Sequence, residues 1–259
     1  MSRRIKNWDL AQYGKFAAER MRPVEDLLAR MTMVVPATVY DLGCGDGRVT
    51  RLLATHWPEA RITGVDNSAN MLDAARKVLP DVTWIEADIA HWTPDAPAQV
   101  VFANASLQWL TGHESLLPRL MEMVAPGGVL AVQMPRNHHK PSHDCMRDAA
   151  AAGPWRDRLI GIEGLAPVYE PDVYYDILAP HAASLNVWGS EYLHALEGDD
   201  PVVEWTKGTG LRPYLEPLEP DEREAFLADY SVRIAVEYPP RHDGVTLFPF
   251  LRLFIIAVK

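Results

Sequence analysis

The stretch Val39-Tyr40-Asp41-Leu42-Gly43-Cys44-Gly45-Asp46-Gly47 constrains this chain more than any other. A short apolar run ends in three glycines within five positions, and helix-forming sequence follows. Glycine permits positive φ and lets bare backbone approach a ligand closely. Nineteen residues past Gly47, Asp66 ends a second strand-like run, Ile62-Thr63-Gly64-Val65. Strand, glycine turn, helix, strand and terminal acid compose the βαβ unit that holds a nucleoside, with the acid on the ribose.

The glycine spacing narrows the ligand. A dinucleotide site has G-x-G-x-x-G, with a pyrophosphate on the helix N-terminus. Here the pattern is G-x-G-x-G, with Asp41 before it and Asp46 inside it. Two carboxylates repel a pyrophosphate at close range and suit a ligand with a cationic or hydroxyl-rich face. This counts against a nicotinamide-dependent dehydrogenase. A non-catalytic binding module on the same scaffold remains an alternative. The motif resembles the D-x-G-x-G-x-G of class I S-adenosylmethionine (SAM)-dependent methyltransferases, whose cofactor carries a sulfonium, an ammonium and a ribose but no phosphate.

At 259 residues, 48% of them hydrophobic, the chain suits one α/β domain spanning 1–259. A net charge of −10 argues against a nucleic-acid partner, which needs a basic face. The two cysteines, Cys44 and Cys145, give no disulfide framework and fit a reducing, cytoplasmic setting. No apolar run approaches a membrane span, and the basic start Met1–Lys6 has no apolar segment of a signal peptide behind it. A monomer or weak homodimer is expected.

Strand-like and helix-like segments alternate up to about residue 134. An N-terminal helix is expected over 10–31. Strands are expected at Val39–Leu42, Arg61–Val65, Val82–Glu86, Val100–Ala103 and Val129–Met134. Helices are expected at Arg48–Trp57, Ala69–Leu79 and Ser115–Val124, with Pro126-Gly127-Gly128 as a turn before the fifth strand. This alternation predicts a doubly wound, mostly parallel sheet. Its ligands sit beyond the carboxyl ends of the strands, where Asp41, Asp66, Asp88 and Asn104 share one crevice.

The proline-rich stretch Pro135–Pro180 lacks clean periodicity and reads as an irregular cap inserted at about 135–184. Leu185–Leu196 then reads as a strand and Val202–Lys207 as a short helix. Asp221–Glu237 reads as a longer helix with Ala225, Phe226, Val232 and Val236 buried, and Leu247–Val258 as one or two strands.

Across these segments the resemblance becomes narrower. Phe16–Arg20, Asp41–Gly45, Asn104–Trp109, Ala131–Pro135, Tyr174–Leu178, Thr209–Pro213 and Arg252–Phe254 are similar to segments of the trans-aconitate 2-methyltransferase family, from about Trp8 to the C-terminus. One departure is Leu251, where the family pattern has proline. The resemblance implies a seven-stranded sheet with one antiparallel strand, SAM as cofactor and a small polycarboxylic acid as substrate. Another small acid or a thioester-linked acid is the alternative. The implied cofactor residues are Asp41, Gly43 and Gly45 at the amino-acid end, Asp66 at the ribose, Asp88 and Ile89 at the adenine and Asn104 flanking the site, together with Asp46 and Asn67. The implied substrate residues are Tyr13, Arg20, Arg22, Trp109, Gln133, Tyr175, Arg212 and Arg252.

Chemistry constrains the rest. An amine or phenol acceptor needs a base, whereas a carboxylate is already ionised at neutral pH. A carboxylate acceptor needs placement and a dry pocket, so no catalytic dyad or triad is expected. Holding a polyanion in an acidic protein calls for arginine, whose planar fork grips a carboxylate through two hydrogen bonds. Arg212 and Arg252, aided by Tyr175 and Gln133, are the expected anchors, with Arg20 and Arg22 at the end of the N-terminal helix. Trp8, Tyr174 and Trp205 are further wall candidates. His138, His139 and His143 lack the acids or cysteines of a metal site, so no metal is expected. Cys44 reads as a small packing residue.

Overall fold

The computed structural model describes residues 12, 15–31, 35–162 and 168–259. Its first helix, α1, spans Ala17–Ala29. The strands are β1 (Thr38–Leu42), β2 (Arg61–Asp66), β3 (Thr83–Glu86), β4 (Ala98–Asn104), β5 (Val124–Pro135), β6 (Ser184–Leu196) and β7 (Thr246–Val258). Helices α2 (Arg48–His56), α3 (Ala69–Val78) and α4 (His113–Glu122) connect the first five strands. These strands form one sheet in the order β3-β2-β1-β4-β5-β7-β6, parallel except for β7, which runs antiparallel to both its neighbours. The order reverses between β1 and β4, so the crevice beyond their carboxyl ends is where a doubly wound sheet takes its ligand.

Alternation along β4 distributes the core over both faces. Val101 and Ala103 join Leu116, Leu117 and Leu120 of α4 on one face. Val100 and Phe102 join Val24, Leu27 and Leu28 of α1 on the other. The expected Pro126–Gly128 turn lies inside β5 instead, where the register against β4 shifts between Ala98 and Val100.

The cap differs most from expectation. Before β6 it is helical rather than irregular, with α5 (Pro141–Ala152), α6 (Arg156–Leu159) and α7 (Pro171–Leu178); after β6, α8 (Pro201–Lys207) and α10 (Pro220–Glu237) stand where helices are expected, and α9 (Arg212–Leu215) is added between them. Prolines at the first turns of α5, α7, α8, α9 and α10 start these helices rather than break them, because the first-turn N–H groups have no intrahelical acceptor to lose. The cap also has its own apolar core, built from Met146, Trp155, Trp205, Tyr214, Phe226, Tyr230, Phe248 and Phe250. It therefore draws on residues well past 184, while Tyr174 and Leu178 of α7 pack with the sheet core instead. On α10 the buried stripe is Phe226, Tyr230 and Ile234, four residues apart. Ala225, Val232 and Val236 face outward, contrary to expectation.

Candidate active site

The glycine loop after β1 folds back over β2, with the Gly43 and Cys44 N–H groups donating to the Val65 carbonyl at 2.7 and 3.1 Å. Gly43 has φ +74°, and a Cβ there would lie 2.2 Å from the Ser106 Cβ. Only glycine fits, so the β4 end can close against the loop. Ser106 Oγ completes that contact by donating to the Leu42 carbonyl at 2.7 Å. At Gly45 the reverse holds: a Cβ would meet no protein atom within 4 Å, so bare backbone faces open space. That space is a crevice of about 780 Å³, within the size range of small-molecule sites.

Asp66 lies at the end of β2 and lines this crevice. Its carboxylate accepts from the Gly45 N–H and the Ser68 N–H, both at 2.9 Å. Burial pushes its pKa up, and these backbone N–H groups pull against that shift. Asp46, Asn67, Asp88, Ile89 and Asn104 line the crevice as well. Asp88 is fixed by the Ala90 N–H at 2.9 Å. Asp41 does not line it. Its carboxyl is turned into the interior, 1% exposed, and accepts the Thr50 hydroxyl at 2.6 Å, tying β1 to α2. Burial raises its pKa to about 7 despite Thr50, and the charge of Asp66 adds to the rise. Cys44 is buried, and desolvation followed by the nearby acids pushes its thiol pKa far up, which suits packing rather than nucleophilic work.

Deeper in, a second cavity of about 70 Å³ lies between the sheet and the cap. Asn104, Ala105, Trp109 and Arg20 line both cavities and form their common wall. Arg20 stacks its guanidinium 4.8 Å from the centre of the Trp205 ring and donates to the Trp205 carbonyl at 3.3 Å. Arg252 is 4% exposed within β7. Its guanidinium lies 4.6 Å from the centre of the Phe250 ring and donates to Gln133 Oε1 at 3.4 Å. Beside them, burial and then the charges of Arg252, Arg22 and Arg20 lower the pKa of His194 to about 4. His138 and His143, which line the same cavity, are also lowered to about 4, chiefly by burial.

Ala105 stands at the junction with φ +50°, a left-handed conformation that costs a non-glycine residue about 1–2 kcal/mol. Two bonds hold it: its N–H donates to the Gln133 carbonyl at 2.9 Å, and its carbonyl accepts from Gln108 Nε2 at 2.6 Å.

Several expected substrate residues sit elsewhere. Arg212 lines neither cavity and reaches Glu216 at 3.6 Å. Tyr175 is 51% exposed on α7, away from both cavities. Arg22 is outward, its guanidinium 5.3 Å from the centre of the Tyr192 ring. Gln133 is fully buried behind Arg252 and holds it rather than facing the cavity. Tyr174 is a core residue bonded to His113 at 2.7 Å, whereas Trp205 does line the inner cavity. Tyr13 and Trp8 lie outside the described residues. The structure adds Ala105, Ser106, Gln108 and Asn137 to the lining, individual residues whose neutral side chains carry no periodic or charge signal in the sequence. Among the described residues, no group of His, Cys, Asp or Glu side chains gathers into a metal site.

The sheet order, the glycine loop against an open crevice, and the acids at the ends of β2 and β3 define a class I SAM-dependent methyltransferase. A methyltransferase-domain family model matches residues 39–128. The chain is 52% identical over 255 residues to the trans-aconitate 2-methyltransferase of Azoarcus sp. (strain BH72), covering 98% of this chain and 100% of that one. It is 50% identical over 256 residues to that of Rhodopseudomonas palustris (strain BisB18), with the same coverage. It belongs to the trans-aconitate 2-methyltransferase family, and its cofactor is SAM. Solved structures agree on the fold. The YcgJ protein of Bacillus subtilis matches with a TM-score of 0.61 at 12% identity, covering 92% of this chain and 98% of that one. A coclaurine N-methyltransferase bound to N-methylheliamine and S-adenosylhomocysteine matches with a TM-score of 0.54 at 17% identity, covering 93% and 72%.

Proposed function

We propose that this chain transfers the methyl group of SAM to one carboxylate of trans-aconitate, or of a closely similar small polycarboxylic acid, giving a monomethyl ester. The observation that carries this reading is the inner cavity, which joins the crevice through a common wall and is lined by two arginines among aromatic rings. Arg20 and Arg252 are the anchors for carboxylates that do not react, so Arg20 takes the place expected of Arg212. Asp66 accepts the ribose hydroxyls, Asp88 and Ile89 flank the adenine, and the bare backbone at Gly45 admits the amino-acid end. Asn104 Oδ1 is buried at the wall without a hydrogen-bond partner among the described residues, an acceptor suited to an ammonium group.

When bound, the cofactor supplies a methyl carbon on a sulfonium. Held by Asp66, Asp88, Ile89 and the Gly45 backbone, it would supply that methyl to a carboxylate oxygen, with the C–S electron pair staying on sulfur. The protein's part is to place and dehydrate that oxygen. Aligning two bound reactants contributes about 7–11 kcal/mol. Trp109, Trp205 and Phe250 exclude water, which otherwise stabilises the separated charges better than the neutralising transition state. The lining histidines, with pKa values near 4, are weak bases for a hydroxyl or amine acceptor, in keeping with a nucleophile that needs none.

The test is mass spectrometry of small acids incubated with the protein and SAM. A trans-aconitate monomethyl ester is expected, with far less product from monocarboxylates. Equal turnover of a monocarboxylate would overturn the polycarboxylate reading.

A further inference from the structure

Asn137 joins the end of β5 to α5, and its side chain is oriented by its neighbours. Its Oδ1 accepts the Leu251 N–H at 2.8 Å, and its backbone carbonyl accepts the Lys140 N–H, also at 2.8 Å. The first bond fixes the amide, because turning it over would set Nδ2–H against another donor. Nδ2 is then left buried without a hydrogen-bond partner among the described residues, in a residue only 2% exposed. Asn137 lines the inner cavity together with Arg252, and it does not line the cofactor crevice. Buried donors are rarely left unpaired, and those that are call for an explanation.

We propose that Asn137 is a specificity-determining residue whose Nδ2–H donates to a carboxylate of the acid that does not react. This rests on the proposed function. The reacting oxygen must lie at the wall shared by the two cavities, and Asn137 is not part of that wall. A fixed donor rewards a carboxylate and is left unpaired by a methyl group or hydrogen in its place. Sites built around buried polar groups discriminate most strongly in this way.

The experiment compares the wild type with Asn137→Asp and Asn137→Ala on trans-aconitate and on glutaconate, itaconate and mesaconate, each of which lacks one of its carboxylates. Asn137→Asp keeps the acceptor for the Leu251 N–H and replaces the donor with a like charge; Asn137→Ala removes both donor and acceptor without adding charge. For both variants KM for trans-aconitate is expected to rise roughly 10–100-fold, the worth of one hydrogen bond to a charged group. kcat and S-adenosylhomocysteine affinity are expected to stay within about twofold. On the dicarboxylate that lacks the contacted group, Asn137→Ala is expected to add no penalty, whereas the added charge of Asn137→Asp repels every acid. An equal loss on every acid in Asn137→Ala, or unchanged KM in both variants, overturns the assignment. A wild type that methylates none of the four acids overturns the proposed function and this inference with it.

Discussion

Two aspartates on neighbouring parallel strands show how position decides a carboxylate's work. Asp66 ends β2 facing the crevice, held by two backbone N–H groups. Asp66→Ala is expected to weaken S-adenosylhomocysteine binding at least tenfold by calorimetry, since hydrogen bonds to a charged group contribute roughly 1.5–3 kcal/mol each. Asp41 sits on β1 and is buried against Thr50. Its folded pKa of about 7 exceeds the ordinary carboxylate value near 4. Between those values the folded state keeps a proton that the unfolded chain gives up, so its contribution is full below about pH 4 and is lost as pH rises through 7. Asn in its place does not titrate. Thermal melts are expected to show Asp41→Asn gaining on the wild type from pH 4 to pH 8, by at most about 4 kcal/mol. The arginines separate the same way. Arg252→Ala and Arg20→Ala are expected to lower kcat/KM for trans-aconitate by at least a hundredfold, the cost of about 3–5 kcal/mol when a buried charge loses its partner. Arg212→Ala, beside Glu216 and off both cavities, is expected to change it far less.

At the scale of elements, what was legible followed from short-range pattern. The strands β1 to β4 and the helices between them stand within a few residues of expectation, because apolar runs, glycine turns and acids at strand ends are local signals. The cap was legible only in part: β6, α8, α10 and β7 stand within a residue or so of expectation, whereas the helices between 141 and 178 do not. Its prolines sit at first helical turns, where their effect reverses, and its core joins α5 to α10 and β7 across about a hundred residues. For α10, Val232 and Val236 share a helical period with apolar neighbours, and only tertiary packing selects the stripe of Phe226, Tyr230 and Ile234. The site followed the same division. Charged and glycine residues marked the cofactor side, whereas the choice among arginines depended on which segments the cap brings to the inner cavity. Phe226→Ala is expected to destabilise the protein by about 3–5 kcal/mol in denaturant titrations, while Val232→Ala, at a 70% exposed position, stays within about 0.5 kcal/mol.

On the scale of the whole molecule, α1 and the cap enclose the inner cavity over the sheet's carboxyl edge. At about 70 Å³ this cavity admits a few waters rather than a tricarboxylic acid, so the proposed binding there requires the cap or α1 to move. Hydrogen exchange is expected to slow in 15–22 and 136–152 when S-adenosylhomocysteine and trans-aconitate are both present, and to change little with either alone. Exchange indifferent to the pair of ligands would mean the enclosure is static. Arg20, whose side chain belongs to both cavities, carries a further consequence for turnover. An anion anchored there as proposed attracts the sulfonium, so each ligand raises the affinity of the other, and by linkage by the same factor. Methyl transfer removes one charge from each ligand and leaves the arginine unchanged. The attraction that assembled the pair is therefore absent between the products, and the same event that makes the ester loosens the site's hold on it.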